Sequence, residues 1–229
     1  MIPAAPRARP GLAGAALLLT LALPLTGCAA PGPWSRADLG GAIIIPPIAK
    51  PDFTFTDTRG RPFDFRSATR EGITLLYFGF THCADVCPLQ MDHVARALRA
   101  LQPAVARQIR VVFVTTDSAR DSLPRLRRWL DHFDARFVGV TAGLDRVNAV
   151  LGALRILPQA ARIPTDSGYD MGHSALVLAF GRDDTSRVAF PPSTTPEGWT
   201  RDLTRLVTIG PPPDSLGPGP LPPQQPAGN

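Results

Sequence analysis

The chain contains a short apolar run that passes directly into a helical pattern carrying two cysteines, and this junction limits the folds open to it. Residues 73–80 are almost wholly apolar and bounded by glycine, which is typical of a strand buried on both faces. From residue 86 onward, apolar residues recur at helical spacing. Cys83 and Cys87 lie at the junction. Four residues of helix turn through about 400°, so we expect both sulfurs on one side.

Strand and helix patterns alternate along residues 51–209. Two alternating segments, 53–56 and 62–65, flank a turn and predict an N-terminal β-hairpin. The later strands are predicted over 73–80, 109–116, 137–140, 175–180 and 187–190, and the later helices from 86 and over 124–133, 144–154 and 197–207. This order predicts an α/β fold in which helices cover a central, at least partly parallel sheet.

The first 28 residues have the pattern of an export signal. Arg7 and Arg9 precede an apolar stretch that is short for a membrane-spanning helix and stops at small residues. Its ending, Leu-Thr-Gly-Cys, resembles the lipobox of bacterial lipoproteins, which implies cleavage and lipidation at Cys28. We therefore expect an extracytoplasmic protein, on the periplasmic side, anchored to a membrane by lipid.

Both ends of the mature chain are predicted to stand outside the folded domain. Residues 29–50 are rich in proline, glycine and alanine and are interpreted as a flexible spacer. Residues 210–229 contain eight prolines and four glycines. They have too few apolar groups to offset the entropy of ordering them, so we expect a disordered tail.

The charge pattern argues against nucleic acid as a partner. The formal charge of +5 falls to +3 once Arg7 and Arg9 leave with the signal. Lys50 is the one lysine, and the arginines are scattered rather than gathered with aromatic residues into a stripe. The simplest interpretation of these arginines is solvated helix faces.

If Cys28 is lipidated, Cys83 and Cys87 are the two thiols left. An oxidising compartment favours a disulfide between them, unless they are kept reduced or hold a metal. The start of a helix lowers a thiol pKa and favours the thiolate, which both binds metal and attacks disulfides. The cysteines alone leave both roles open.

His173 is the residue that separates these roles. It precedes the predicted strand 175–180, where thioredoxin-like enzymes carry a cis-proline facing their dithiol; this chain has no proline between Pro164 and Pro191. Two thiolates and an imidazole suit Cu(I), and can also hold Cu(II) or, with a further ligand, zinc. The other histidines, at 82, 93 and 132, are weaker candidates.

Three segments together resemble the signature regions of the Sco (SenC) family. They are residues 78–88, 116–121 and 170–174, and the resemblance extends over most of the predicted domain. It implies a thioredoxin-like fold and a membrane-tethered protein that binds copper. It also implies a partner, cytochrome c oxidase subunit II, whose dinuclear copper centre such proteins help to assemble.

Carried over by position, the resemblance makes Cys83, Cys87 and His173 the copper ligands. This chain departs from the family pattern at Ala84 and Ser118, where the family has proline, and neither position is a proposed ligand.

Asp117 and Asp121 follow the predicted strand 109–116 at the same edge of the sheet as the cysteines. They are candidates for orienting the site or a partner. The alternative is that they cap the next helix, as aspartates in this position often do.

These observations favour a copper metallochaperone. One alternative is a thiol-disulfide reductase that uses Cys83 and Cys87 as its redox-active pair. Another is a peroxiredoxin-like peroxidase, which would leave His173 without a role.

Overall fold

The computed structural model describes residues 1, 33–157, 160–166 and 168–217. Within these residues, eight strands form one sheet and two more form a separate hairpin. The strands are β1 (Ala42–Ala49), β2 (Thr54–Asp57), β3 (Pro62–Asp64), β4 (Ile73–Gly79), β5 (Ile109–Thr115), β6 (Val138–Thr141), β7 (Ala161–Thr165), β8 (Gly168–Gly172), β9 (Val177–Phe180) and β10 (Thr185–Phe190). The helices are α1 (Phe65–Ala68), α2 (Val86–Ala100), α3 (Pro103–Ala106), α4 (Leu123–Asp131), α5 (Leu144–Ala153) and α6 (Pro196–Thr208).

The sheet order is β1-β10-β9-β4-β5-β6-β2-β3, which confirms the predicted mixed α/β architecture. Its centre, β4, β5 and β6, is parallel, while β9 runs antiparallel beside β4. Every residue of β4 is buried, as its almost wholly apolar run predicts. Because β4 and β5 end at the same edge, the loops that follow them meet there.

The helices close the core over this sheet, with α2 and α6 packed against each other. Phe190, at the end of β10, stacks on Trp199 of α6 with ring centroids 3.9 Å apart. Thr195 caps α6 by accepting the Gly198 N–H at 3.1 Å, and Pro196 opens the helix.

The fold begins earlier than the predicted boundary at residue 51, because β1 pairs antiparallel with β10 at the edge of the sheet. Lys50, which follows β1, is buried; its ammonium donates to the Thr69 carbonyl and pairs with Asp184, both at 2.8 Å. For the described part of residues 29–50, the spacer prediction is therefore wrong. Its prolines fit an edge strand, because proline has no N–H to donate and one side of an edge strand needs no backbone hydrogen bonds.

The predicted tail needs a similar correction over residues 210–217. The Trp34 indole donates to the Gly210 carbonyl at 3.0 Å, and Asp214 pairs with Arg187. A short 3₁₀ turn, Asp214–Leu216, follows the last helix. The remainder of the predicted tail, 218–229, lies outside the described residues.

The hairpin of β7 and β8 was not predicted, since Pro164 and several exposed polar residues hide its strand pattern. The two strands pair antiparallel from Ala161 opposite Gly172 to Thr165 opposite Gly168. His173 follows β8 directly, so this hairpin positions the histidine.

The predicted signal peptide, including Cys28, also lies outside the described residues. Across the part of the chain that the structure describes, no helix combines the length and apolar character needed to cross a bilayer.

Candidate metal centre

Cys83 and Cys87 lie where β4 passes into α2. Cys83 precedes the first helical residue, Val86, so the expected helical phase between the two sulfurs does not apply. A turn brings them together instead: the Cys83 N–H donates to the Phe80 carbonyl at 3.3 Å. The Cys83 sulfur then accepts the Cys87 N–H at 3.4 Å, as an anion does at a helix start.

Cys87 is fully buried against the end of β4. The Tyr77 hydroxyl donates to its sulfur at 3.4 Å. A side chain at Gly79 would place its Cβ 2.8 Å from that sulfur and 3.1 Å from the Phe113 ring. Glycine at this position therefore makes room for the sulfur.

His173 presents its ring to the cysteines. Its Nε2 lies 3.4 Å from the Cys87 Sγ, and its Nδ1 lies 3.0 Å from the Ser174 carbonyl oxygen. A carbonyl oxygen only accepts hydrogen bonds, so Nδ1 carries the proton and the Nε2 lone pair faces the sulfurs. The rings of Phe80 and Tyr77 meet the imidazole edge-on, at 5.4 and 6.2 Å between centroids.

The donor atoms of Cys83, Cys87 and His173 all lie within 4.8 Å of one another. Cys87 forms the closed side of the group, while Cys83 and His173 are half-buried and reach solvent. The structure thus brings together the three predicted ligands from two distant segments. The arrangement is a three-donor site with one open face.

The two thiols have opposite electrostatic environments. Hydrogen bonds from the Cys87 thiol and from the backbone N–H groups of Cys87 and Asp85 lower the pKa of Cys83 to about 3. Burial raises the pKa of Cys87 well above its ordinary value, and the Cys83 charge adds to this. At neutral pH the metal-free site holds one half-exposed thiolate and one buried thiol.

Asp121 braces the loop that leads to Cys83. It is buried, and its carboxylate accepts the Thr81 N–H at 3.0 Å and the hydroxyls of Thr81 and Thr115 at 2.6 Å each. His82 lies beside it, with Nδ1 3.6 Å from the carboxylate. The N-cap of α4 is Ser122, and the Asp121 carboxylate instead contacts the loop before Cys83 and the end of β5.

Asp117 instead contacts the segment that carries His173. Its carboxylate accepts the Tyr169 hydroxyl at 2.9 Å and pairs with Arg120. Arg120 in turn donates to the Tyr169 carbonyl at 2.9 Å. Both aspartates therefore lie behind the three donors, one on the cysteine side and one on the histidine side.

The other histidines lie outside the three-donor group. His132 is exposed at the end of α4, with Nδ1 2.6 Å from the Arg128 carbonyl oxygen. His93 lies on α2, six residues beyond Cys87. His82 contacts Asp121 rather than either sulfur.

Sequence reasoning missed three residues that hold the site. Tyr77 contacts the Cys87 sulfur and Tyr169 contacts Asp117, as described above. Gln90 is fully buried on α2 and donates to the carbonyls of Ala175 at 2.8 Å and Phe190 at 3.2 Å. A polar residue on the apolar face of α2 was the available signal for Gln90.

Comparisons with known proteins agree with the resemblance that the sequence motifs indicate. The SCO1/SenC family model matches residues 45–208. Copper-bound ScoI of Bradyrhizobium japonicum is 30% identical, with a TM-score of 0.61 over 69% of this chain and 98% of that one. Apo Sco1 of Thermus thermophilus, 24% identical, has a TM-score of 0.64 over 73% of this chain and 96% of that one. These likenesses confirm the predicted thioredoxin-like fold.

A curated relative is the mitochondrial SCO2 homologue of Bos taurus. It is 29% identical over 140 residues, which are 59% of this chain and 51% of the relative. The chain thus spans about half the length of that protein.

Proposed function

Because the chain belongs to the SCO1/SenC family, we propose that it is a copper metallochaperone. Cys83, Cys87 and His173 hold the ion, which is the cargo that the protein passes on. The observation that carries this proposal is the convergence of two sulfurs and one imidazole nitrogen within 4.8 Å. The likeness to a relative that binds copper supports the same conclusion.

The donor set suits copper chemically. Two thiolates and one imidazole match the soft character of Cu(I), and the same donors bind Cu(II). Cys83 already has the protonation state of a ligand, while Cys87 loses its proton as the ion binds. The Tyr77 hydroxyl then faces the Cys87 thiolate and stabilises its charge.

The unequal burial of the donors supports stepwise release. Cys83 and His173 reach solvent, so donors of an acceptor protein can replace them first. Cys87, which is fully buried, keeps hold of the ion until the acceptor has supplied its own ligands. This transfer is an exchange of ligands and needs no external oxidant or reductant.

We propose that the acceptor is the dinuclear copper centre of cytochrome c oxidase subunit II. Family membership supports this assignment, and an acceptor with cysteines and histidines of its own fits the exchange. Copper delivery in either oxidation state is consistent with the donors.

Replacement of His173 by alanine tests the proposal. We expect the affinity for copper to fall on the order of a hundredfold, about 2.7 kcal/mol, because one of three donors is lost. The measurement is competition against a chromogenic copper chelator, with His132→Ala as the control because its imidazole is remote from the three donors. An unchanged affinity in His173→Ala would remove the main support for the chaperone.

A second function is favoured by the difference between the two thiols. The Cys83 thiolate can attack an acceptor disulfide and release one acceptor sulfur as a thiolate. Cys87 then loses its proton and attacks the Cys83 sulfur, which forms the Cys83–Cys87 disulfide and expels the second acceptor thiolate. The acceptor gains two electrons and becomes a dithiol. Disulfide reduction that persists in His173→Ala, while copper binding collapses, would show that the two functions are separable.

We also propose that the protein is exported and anchored to a membrane through a lipidated Cys28, on the periplasmic side. The lipobox-like ending of the signal sequence supports this location. We expect the wild type to incorporate radiolabelled fatty acid and to sediment with membranes, and Cys28→Ala to do neither. A Cys28→Ala protein that still carries the label would contradict lipidation at this residue.

A further inference from the structure

The hairpin that carries His173 needs a side-chain anchor. Its strands, β7 and β8, pair with each other and form a sheet apart from the eight-stranded one. All five residues of β7 and three of the five of β8 are exposed or half-buried. Backbone pairing within the hairpin therefore does not fix its position relative to Cys83 and Cys87.

Tyr169 makes the contacts that supply such an anchor. Its hydroxyl donates to the Asp117 carboxylate at 2.9 Å, and its backbone carbonyl accepts from Arg120 at 2.9 Å. The Arg120 guanidinium also lies over the tyrosine ring, 3.9 Å from its centroid, and Arg162 lies 5.0 Å from it. The ring, the hydroxyl and the backbone of one residue are thus all engaged.

Asp117 is itself fixed to the sheet that carries the cysteines. It is 2% exposed, and its N–H donates to the Thr115 hydroxyl at 3.1 Å. The preceding residue, Thr116, donates its N–H to the carbonyl of Gly79 at 2.7 Å. Since a Cβ at Gly79 would meet the Cys87 sulfur at 2.8 Å, the anchor of the hairpin is joined to the strand that lies next to that sulfur.

Tyr169 lies four residues before His173. At about 3.3 Å per residue the two are roughly 13 Å apart along the strand, so the tyrosine does not reach the ion. Side chains two apart in a strand share a face, and Met171 between them is 4% exposed. One face of β8 therefore packs inward. Tyr169 lies near the beginning of this face, and His173 lies just beyond its end.

We infer that Tyr169 is a positioning residue that holds His173 against the two cysteines by bonding its hydroxyl and ring to Asp117 and Arg120. This inference rests on the proposed copper binding and extends it. Without the anchor the hairpin carries the imidazole away from the sulfurs for part of the time. The apparent affinity for copper is then the intrinsic affinity multiplied by the fraction of molecules in which the histidine is in place.

The test compares the full-length wild type with Tyr169→Ala and Tyr169→Phe. We expect Tyr169→Ala to weaken Cu(II) binding about tenfold and to reduce the nitrogen hyperfine signal in electron paramagnetic resonance. Tyr169→Phe keeps the ring over Arg120, so its loss is expected to be smaller. The reaction of Cys83 with an aromatic disulfide reagent needs no histidine and is expected to stay at the wild-type rate.

Thr165→Ala serves as the matched control, because it truncates an exposed residue of the same hairpin. Asp117→Ala combined with Tyr169→Phe is expected to cost no more than Asp117→Ala alone, because Asp117→Ala already removes the hydrogen bond that Tyr169→Phe removes. A Tyr169→Ala protein with wild-type affinity and nitrogen signal overturns the inference alone. So does an equal loss in Thr165→Ala. A wild type that binds no copper removes the proposed function, and this inference with it.

Discussion

Replacing Cys87 by serine is expected to abolish tight copper binding, with a loss of affinity on the order of a thousandfold or more, about 4 kcal/mol. A serine hydroxyl stays protonated at neutral pH and offers a hard oxygen in place of a soft thiolate. Cys87 is fully buried beneath Tyr77 and Gly79, so water does not readily take the place of the lost ligand. Competition with a chromogenic Cu(I) chelator under reducing conditions measures the loss.

Ala95→Ser is the matched control for this variant, since it places the same hydroxyl at a buried position on the same helix, away from the donors. Its copper affinity should equal that of the wild type. A Cys87→Ser protein that keeps affinity within tenfold of the wild type would mean that Cys83 and His173 suffice. The proposed three-donor site would then be wrong.

Replacing Asp121 by alanine is expected to lower the free energy of unfolding by about 3 kcal/mol or more. The change leaves the Thr81 N–H and the hydroxyls of Thr81 and Thr115 without their acceptor in a buried place. For a domain of this size the melting temperature should fall by roughly 10 °C. Thermal and urea unfolding, followed by circular dichroism, measure both quantities.

Asp92→Ala is the comparison for Asp121→Ala. Asp92 pairs with Arg96 on the surface of α2 at 2.7 Å, and exposed pairs of this kind contribute about 1 kcal/mol or less. If the free energy of unfolding falls no further in Asp121→Ala than in Asp92→Ala, the stability of the loop before Cys83 does not depend on the buried carboxylate.

The structure gives the paired cysteines different roles that their spacing does not reveal. One sulfur is a half-exposed thiolate at the start of a helix, and the other is a buried thiol that accepts a hydrogen bond from the Tyr77 hydroxyl. The same asymmetry suits both proposed functions, ligand exchange and disulfide reduction, because each needs one accessible and one retained sulfur. The histidine distinguishes the two proposed functions, since the proposed copper site uses it and the proposed disulfide reduction does not.

Local patterns were sufficient for the central elements of the fold. The almost wholly apolar run of β4 reflects burial on both faces, and the helical period of α2 reflects burial on one face. Burial of these kinds leaves a direct pattern in the order of the residues. The element β1 escaped prediction because its prolines resemble a linker. This segment forms a strand because it pairs with β10, which lies more than 130 residues away along the chain. Its own sequence does not indicate that pairing.

The sequence also predicted which residue types form the candidate site: two cysteines near the start of a helix and a histidine before a late strand. The sequence did not predict the distances between the donor atoms. The Cys87 Sγ and the His173 Nε2 lie 3.4 Å apart, although the two residues are separated by 86 positions along the chain. Gln90, Tyr169 and Asp117 are the residues that hold those segments together. Asp117 was a candidate from its place after β5, but its partner Tyr169 gave no signal in the sequence, since a hydrogen bond between distant residues leaves no periodic trace.

The amino-acid order of this protein is therefore enough to specify an alternating α/β chain and the chemical character of its three donors, because burial and ligand softness belong to the residues themselves. Folding in three dimensions sets which sulfur is exposed, which nitrogen faces it and what holds the histidine in place. Those properties depend on contacts between residues that are remote along the chain, and on the burial that those contacts create.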